Sequence, residues 1–161
     1  MHQILIILIA AILAFSSSAY ARLGETKTEI EARYGKSECQ YCYTVVLTNS
    51  EKYVYESGGY RITVIFWDGI SAEESFTRAT YYGAQPPLTD VDITTLLDAY
   101  NDKTRLPVVS HWKQNRKHTP NAWKHNSGAY VAYYNDKTLC IKTTAYEKEY
   151  AKEWCRLYGA C

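Results

Sequence analysis

Two cysteines separated by two residues, Cys39 and Cys42, form the sequence motif with the clearest potential for thiol chemistry. In redox proteins with this spacing, the first cysteine lies at a helix N-terminus, where the helix dipole lowers its pKa and favours the thiolate. Here the pair is expected to follow a helix and precede a strand, which is the wrong context for such activation. We therefore favour disulfide chemistry, and a thiol redox or metal-binding role for Cys39 and Cys42 is the alternative hypothesis.

Every cysteine of the chain is a candidate for a disulfide bond. The five candidates are Cys39, Cys42, Cys140, Cys155 and Cys161. Because five is an odd number, at most two bridges can form and one thiol is left over. Five choices of the leftover thiol, each with three pairings of the other four cysteines, leave fifteen arrangements. The sequence alone does not separate them.

A second candidate site combines cations with indoles. The stretch 110–127 contains four cations, two tryptophans and no acidic residue. Such interleaving predicts a surface that binds an anionic or glycan partner by charge and stacking. The residues of this predicted basic-aromatic surface are Trp112, Lys113, Arg116, Lys117, Trp123 and Lys124. The alternative interpretation is a solvated loop that the two tryptophans anchor to the body of the protein.

Metal-binding and enzymatic motifs are absent from the sequence. His111, His118 and His125 recur every seven residues, but neither the close histidine pair nor the second cysteine pair of a zinc site accompanies them. We expect these histidines to be exposed in loops. The signature motifs of serine hydrolases, zinc proteases, phosphate loops and dinucleotide sites are absent as well. The sequence therefore predicts no catalytic residue, no metal and no cofactor, and it favours a non-enzymatic protein.

The N-terminal residues predict export. An unbroken apolar run from Ile4 to Phe15 precedes Ala19-Tyr20-Ala21. An apolar run of about 7–15 residues before a small-x-small site is typical of a cleavable secretory signal. We expect residues 1–21 to be removed after Ala21, which leaves a periplasmic or secreted product without a stable membrane anchor. An uncleaved anchor is the alternative, because little positive charge precedes the apolar run.

The composition limits the classes of partner. The chain has 18 Lys and Arg against 17 Asp and Glu, and this near-neutral balance gives no attraction toward nucleic acid. Its 16 tyrosines suit half-buried sheet faces and wet interfaces, since tyrosine is an apolar ring with a polar group. The expected partner is an envelope protein or a glycan. Residues 22–161 are enough for one domain.

The local signals predict an α+β fold in which hairpins build an antiparallel sheet and short helices pack on one face. Capping boxes at Thr26 and Glu29, and at Thr89 and Asp92, predict two helices, and a third is predicted near the C-terminus. Glycine-containing turns at 58–59 and 68–69, and a turn at 135–137, predict hairpins. We interpret 70–78 as a strand rather than a helix, and 103–127 as mostly loop, with strand potential around Val108 to Trp112. Two candidate halves, 22–82 and 88–161, suggest two similar α-β units.

The run Gly24-Glu25-Thr26, followed by Ile30 and Tyr34-Gly35, resembles a pattern of small secreted bacterial proteins of uncharacterised activity. In that pattern the helix precedes tyrosine-rich strands, a Phe-x-Asp-Gly hairpin (here Phe66–Gly69) and a later helix (here Leu88–Leu97). A threonine-capped helix, a glycine and antiparallel strands also resemble, more distantly, the SmpA/OmlA (BamE-like) outer-membrane lipoproteins. That resemblance implies an interaction module rather than an enzyme, although this chain has no cysteine at the predicted cleavage site.

Overall fold

A computed structural model describes residues 23–37, 47–80, 83–100, 112–114 and 121–159. Within these residues the chain forms one seven-stranded antiparallel sheet and three α-helices, which confirms the predicted α+β fold. The helices are α1 (Lys27–Tyr34), α2 (Asp90–Asp98) and α3 (Thr144–Tyr158). The strands are β1 (Ser50–Ser57), β2 (Tyr60–Trp67), β3 (Ile70–Arg78), β4 (Trp112–Gln114), β5 (Ala122–His125), β6 (Tyr130–Asn135) and β7 (Thr138–Thr143). None of the helices in the described part combines the length and apolar character needed to cross a membrane.

Two meanders make up the sheet, whose strand order is β1-β2-β3-β7-β6-β5-β4. The first meander is β1 to β3 and the second is β4 to β7. They meet where their last strands, β3 and β7, pair antiparallel, so β1 and β4 are the edges of the sheet. A helix precedes each meander, as the two predicted halves require. The interpretation of 22–82 and 88–161 as a duplication stays a prediction, as does the signal at 1–21, which lies outside the described residues.

The predicted capping boxes are both present. Thr26 accepts a hydrogen bond from the Glu29 amide, and the Glu29 carboxylate accepts one from the Thr26 amide at 2.8 Å. The same reciprocal pair joins Thr89 and Asp92 at the start of α2. Each box satisfies amides that the first helical turn leaves without a partner. The chain can therefore begin both helices with interactions between residues only three positions apart.

Two details of the sheet differ from the sequence interpretation or refine it. Residues 70–78 form strand β3, as predicted, with an irregularity in the β2–β3 register between Ile65 and Phe66 that fits a bulge at Ala72. The region 103–127, interpreted as mostly loop, contributes the edge strand β4 and its neighbour β5. These strands have only three and four residues, too few to show a period in the sequence.

The two faces of the sheet carry separate apolar clusters. The larger cluster lies on the face that α1 and α2 cover, where Ile30 of α1 and Leu97 of α2 contact Val64 and its neighbours. We call this the α1/α2 face. The smaller cluster joins Leu47, Ile65, Ala72 and Tyr146. Because Ile65 alternates with Val64 along β2, this second cluster lies on the opposite face, the α3 face.

The prediction that the helices pack on one face is therefore right for α1 and α2 and wrong for α3. Helix α3 follows β7 without a connecting loop, since β7 ends at Thr143 and α3 starts at Thr144. Its first turn places Tyr146, which is fully buried, against Ile65 and Ala72. The apolar residues of α3 thus cover the face of the sheet that α1 and α2 leave open.

Candidate binding surface on helix α3

The predicted basic-aromatic surface is divided between the two faces of the sheet. Trp112 contacts the larger core cluster and Trp123 packs against it, so both indoles lie on the α1/α2 face. Lys113 and Lys124 are cross-strand partners on β4 and β5. Since side chains alternate along a strand, both lysines lie on the α3 face, where they are exposed. The four described side chains therefore do not form one surface of interleaved cations and indoles.

Trp112 anchors the edge strand β4 to the end of α2. Its side chain is 8% exposed, and its indole N–H donates a 2.8 Å hydrogen bond to the Leu97 carbonyl. The ring packs edge-on against His125, which is buried in β5 with Nδ1 2.7 Å from the Ser127 hydroxyl. The expectation of exposed loop histidines is thus wrong for His125. The other predicted residues of this region, Arg116, Lys117, His111 and His118, lie outside the described residues.

Among the described cysteines, Cys140 is a free thiol on β7. Burial raises the pKa of this thiol, and the neighbouring Glu73 carboxylate raises it further. A raised pKa keeps the thiol neutral and disfavours nucleophilic chemistry at Cys140. Cys39, Cys42 and Cys161 lie outside the described residues, so the pairing and the redox alternative stay predictions.

We expect Cys140 to be the leftover thiol, which reduces the disulfide arrangements to the three pairings of the other four cysteines. Alkylation of the protein purified without reductant should leave Cys140 unmodified in the native state and modify it after denaturation. Peptide mass mapping then assigns the bridges. Rapid labelling of native Cys140, or a bridge that includes it, would contradict this expectation.

A line of aromatic side chains runs along one side of α3. Tyr146, Tyr150, Trp154 and Tyr158 are spaced by four residues and therefore share one side of the helix. Successive ring centroids are 6.0, 6.1 and 4.3 Å apart. At the buried end, Trp67 of β2 lies 5.9 Å from Tyr146. We call the four residues of α3 the aromatic stripe.

The aromatic stripe begins in the core and ends in solvent. Tyr146 is fully buried, whereas Trp154 is 42% exposed and Tyr158 is 60% exposed. Leu157, on the same side of the last turn, is 48% exposed. Trp154, Tyr158 and Leu157 thus make a contiguous apolar patch, whereas single exposed apolar residues are ordinary on protein surfaces. Such a patch indicates a site of interaction.

A pocket of about 390 Å³ adjoins the exposed half of the aromatic stripe. Its lining residues are Glu147, Tyr150, Ala151, Trp154 and Cys155. Ala151 has a small side chain, and the pocket is a shallow, open depression beside the exposed rings.

Ion pairs at the root of α3 hold the stripe in position. Lys142 of β7 lies 3.5 Å from a Glu73 oxygen and 3.2 Å from a Glu147 oxygen. Burial alone lowers the pKa of Lys142, but the two carboxylates outweigh it and the pKa is raised. The Lys142 ammonium also lies 5.0 Å from the centroid of the Tyr150 ring. This partly buried cluster fixes the first half of α3 to the sheet, and the exposed half projects from a rigid base.

Most charged residues of α3 lie on the side away from the stripe, and two pairs form there. The Lys152 ammonium lies 2.6 Å from Glu149, and Arg156 donates two hydrogen bonds to Glu153. These two pairs cancel their own charge, whereas the exposed Lys148 forms no ion pair among the described residues. The expected contribution of long-range electrostatics to binding at the stripe is small.

The sequence contains the aromatic pattern of this surface, but the same pattern is also typical of a buried side of a helix. Aromatic residues at i and i+4 predict one apolar side of a helix, and such a side is most often buried. Only the placement of α3, with its first turns on the sheet and its last turns beyond it, shows that the second half is exposed.

No described group of three or more His, Cys, Asp or Glu side chains could hold a metal ion. Comparison with known protein families, with curated proteins and with solved structures gave no match.

Proposed function

We propose that this chain is an exported, non-enzymatic binding protein, and that the exposed half of its aromatic stripe docks into an apolar groove of a protein partner. One observation carries the proposal: Trp154, Leu157 and Tyr158 are exposed together on the last turns of a helix that the buried Tyr146 anchors to the sheet. An amphipathic helix that presents apolar residues three and four positions apart fits the helix-in-groove mode of recognition. Tryptophan and tyrosine are also the residue types enriched at binding hot spots.

The packing of the rings favours a protein partner over a glycan. The planes of Tyr150 and Trp154 are inclined by only 24°, and those of Trp154 and Tyr158 by 38°. Because Trp154 has a ring neighbour on either side along the stripe, part of its face is covered, whereas the terminal ring of Tyr158 has one such neighbour. A sugar ring stacks on an open aromatic face, whereas an apolar groove of a protein can accept a ridge of ring edges.

The paired charges favour an uncharged groove over an anionic surface. Binding to an anionic membrane or polymer depends on unpaired cations and weakens steeply with salt. On α3 the cations Lys152 and Arg156 are each paired with a glutamate in the same helix. Affinity at the stripe should therefore come from burial of apolar area and change little with ionic strength.

The predicted signal at 1–21 supports the cellular setting of this proposal. A chain released after Ala21 would meet envelope or secreted proteins in an oxidising compartment. The BamE-like resemblance, which implies an interaction module, points in the same direction. The predicted partner is accordingly another exported protein rather than nucleic acid.

A charge introduced into the stripe should abolish docking. We expect Leu157→Glu to weaken binding of the partner by tenfold or more, because a carboxylate would be buried in an apolar groove (about 1.4 kcal/mol or more). Val91→Glu is the matched control, since Val91 is a 74% exposed apolar residue on α2. A photo-crosslinker at position 157, with the same group at position 91 for comparison, identifies the partner in cells that export the chain. Titration with the purified partner then gives the dissociation constants.

The outcomes of this experiment are distinct. The proposal is supported if a partner is captured from position 157 and not from position 91, and if Leu157→Glu loses affinity for it while Val91→Glu keeps it. The dissociation constant should also change by at most about twofold between about 0.05 and 0.5 M salt. Equal crosslinking from both positions would overturn the proposal. So would stripe-dependent binding to phosphatidylglycerol vesicles or to a glycan array without a protein partner, which would identify a different class of ligand.

A further inference from the structure

Among the described residues, strand β1 is a long edge strand of the sheet. It has eight residues, contains no proline, and pairs with β2 in an unbroken register from Ser50 to Ser57. The opposite edge, β4, has only three described residues. In the described part of the chain no strand pairs with the outer side of β1. A long regular edge presents backbone donors and acceptors to which a further strand can bind.

The hairpin geometry shows which residues of β1 point their backbone groups outward. The Asp68 amide donates to the Asn49 carbonyl, and these residues are opposite each other in the β1–β2 register. At the other end, the two-residue turn Gly58-Gly59 closes on Ser57 and Tyr60. Both ends therefore place the odd-numbered residues of β1 in the pairs that exchange hydrogen bonds with β2. The even-numbered residues direct their N–H and C=O groups away from the sheet.

The outward-pointing residues form a self-complementary pattern. They include Lys52, Val54 and Glu56, whose side chains share the α3 face. When a second copy of β1 pairs antiparallel about Val54, Val54 lies opposite its own copy and each Lys52 lies opposite a Glu56. Each of these pairs exchanges two backbone hydrogen bonds. Opposite charges directly across a strand pair are stabilising.

Other registers lose this match. Only a shift that keeps even-numbered residues opposite each other preserves the backbone hydrogen bonds. When the two copies pair about residue 53, Lys52 lies opposite Val54, and when they pair about residue 55, Glu56 lies opposite Val54. Pairing about residue 52 puts two lysines opposite each other, and pairing about residue 56 puts two glutamates opposite each other. The charges of β1 thus fit one register, and in it they fit a second copy of the same strand.

We infer that the protein forms a weak two-fold dimer in which the β1 edges of two copies pair antiparallel about Val54 and join the two sheets into one. An edge of eight residues buries less area than a standard interface, so we expect a dissociation constant of about 10–100 μM. The dimer uses none of the residues of the aromatic stripe, and this inference does not depend on the proposed function.

Charge reversal on the full exported chain tests the register directly. Lys52→Glu and Glu56→Lys should each raise the dissociation constant by about tenfold or more, because each creates two like-charge pairs in the dimer. The double variant K52E/E56K restores both pairs and should return the constant to within about threefold of the original. Lys113→Glu, an exposed lysine on the opposite edge strand, is the matched control and should have no effect. Sedimentation velocity over a concentration series measures all four.

A proline provides a second test that is independent of charge. The Val54 amide points away from β2, so Val54→Pro is compatible with the β1–β2 ladder and should abolish the dimer. Circular dichroism confirms that the variant is folded. A chain that sediments as a monomer at about 500 μM, far above the expected dissociation constant, would overturn the inference. A dimer that survives Val54→Pro, or that the double charge variant does not restore, would overturn it as well.

Discussion

Replacing Asp92 with asparagine is expected to lower the free energy of unfolding by about 2–4 kcal/mol at neutral pH. Donors converge on both oxygens of this carboxylate: the Thr89 amide and hydroxyl at 2.8 Å each, the Tyr60 hydroxyl at 2.8 Å and the Arg78 guanidinium at 2.6 Å. An asparagine offers one acceptor oxygen and turns an NH2 group toward the donors of the other side. In the asparagine variant, the capping box with Thr89 and the link from α2 to Tyr60 and Arg78 of the sheet therefore cannot both persist. Urea unfolding of the two proteins measures the loss.

The pH dependence of this effect follows from the same contacts. Burial by itself raises the pKa of Asp92, but the hydrogen bonds from Thr89, Tyr60 and Arg78 outweigh it and hold the pKa well below its usual value of 3.8. A carboxyl group with a lowered native pKa stabilises the fold above its unfolded pKa, and this stabilisation is lost as the pH falls toward the native pKa. The stability difference between wild type and Asp92→Asn should therefore shrink below about pH 3.8.

The other capping box supplies the matched control for Asp92. Glu29 makes the same reciprocal bonds with Thr26, but among the described residues it has no tyrosine or arginine partner, and its surroundings are exposed. Glu29→Gln should therefore cost clearly less than Asp92→Asn. Equal losses in the two variants would show that the cap alone, and not the link to Tyr60 and Arg78, accounts for the role of Asp92.

Replacing Glu74 with glutamine should stabilise the protein at pH values well above 4.5, because it removes the cost of burying a charge. Glu74 is fully buried on the α1/α2 face and accepts a 2.9 Å hydrogen bond from the Tyr34 hydroxyl. Burial raises the pKa of its carboxyl group above the usual value of 4.5, although Tyr34, Arg33 and Tyr100 each oppose the rise. Glutamine keeps an acceptor for Tyr34 without the cost of burying a charge.

The direction of the pH effect at Glu74 is opposite to that at Asp92. With a raised native pKa, the native state holds more protons than the unfolded state above pH 4.5, so the free energy of unfolding falls as the pH rises toward the native pKa. Glu74→Gln should remove this decline and leave stability at pH 4 nearly unchanged. Thermal unfolding between about pH 4 and pH 9 measures both curves.

The neighbouring residue Glu73 is a control with the opposite expected sign. Its side chain lies on the other face of β3, paired with Lys142 at 3.5 Å, so Glu73→Gln removes a partner from a partly buried ammonium and should destabilise the protein. If Glu74→Gln also destabilises the protein at every pH, Glu74 is ionised in the native state and paired with Arg33. The two adjacent substitutions therefore separate a buried neutral acid from a buried ion pair.

The local elements of this fold could be predicted because their determinants lie within a few residues of each other. The boxes at Thr26 and Thr89 involve partners three positions apart, and the turn at Gly58-Gly59 closes between adjacent strands. The C-terminal helix ends at Gly159, whose left-handed backbone suits a glycine. Strand β5 was not predicted, and β4 meets the predicted strand potential only at Trp112, because these few residues are held by contacts with α2, such as the bond from Trp112 to Leu97.

The two candidate surfaces also show which features the sequence predicts and which depend on tertiary packing. The sequence placed tryptophans and lysines side by side between residues 110 and 127, and strand alternation then put Trp112 and Lys113 on opposite faces of the sheet. It also placed aromatic residues along α3, and the packing of Tyr146 on the α3 face left Trp154 in solvent. A pattern of residue types does not record which part of an apolar side meets the sheet.

By itself, the sequence determined the α+β class, the two capped helices and the hairpins, because each depends on interactions between near neighbours in the chain. The export signal stays a prediction. Only the tertiary structure decided that β3 pairs with β7, that α3 lies opposite α1 and α2, and that Glu74 is buried while Asp92 gains Tyr60 and Arg78 as partners. These features join residues far apart in the chain. Burial, and with it the pKa of a carboxyl group or the exposure of an aromatic ring, is set by such distant neighbours and not by the residues beside it in the sequence.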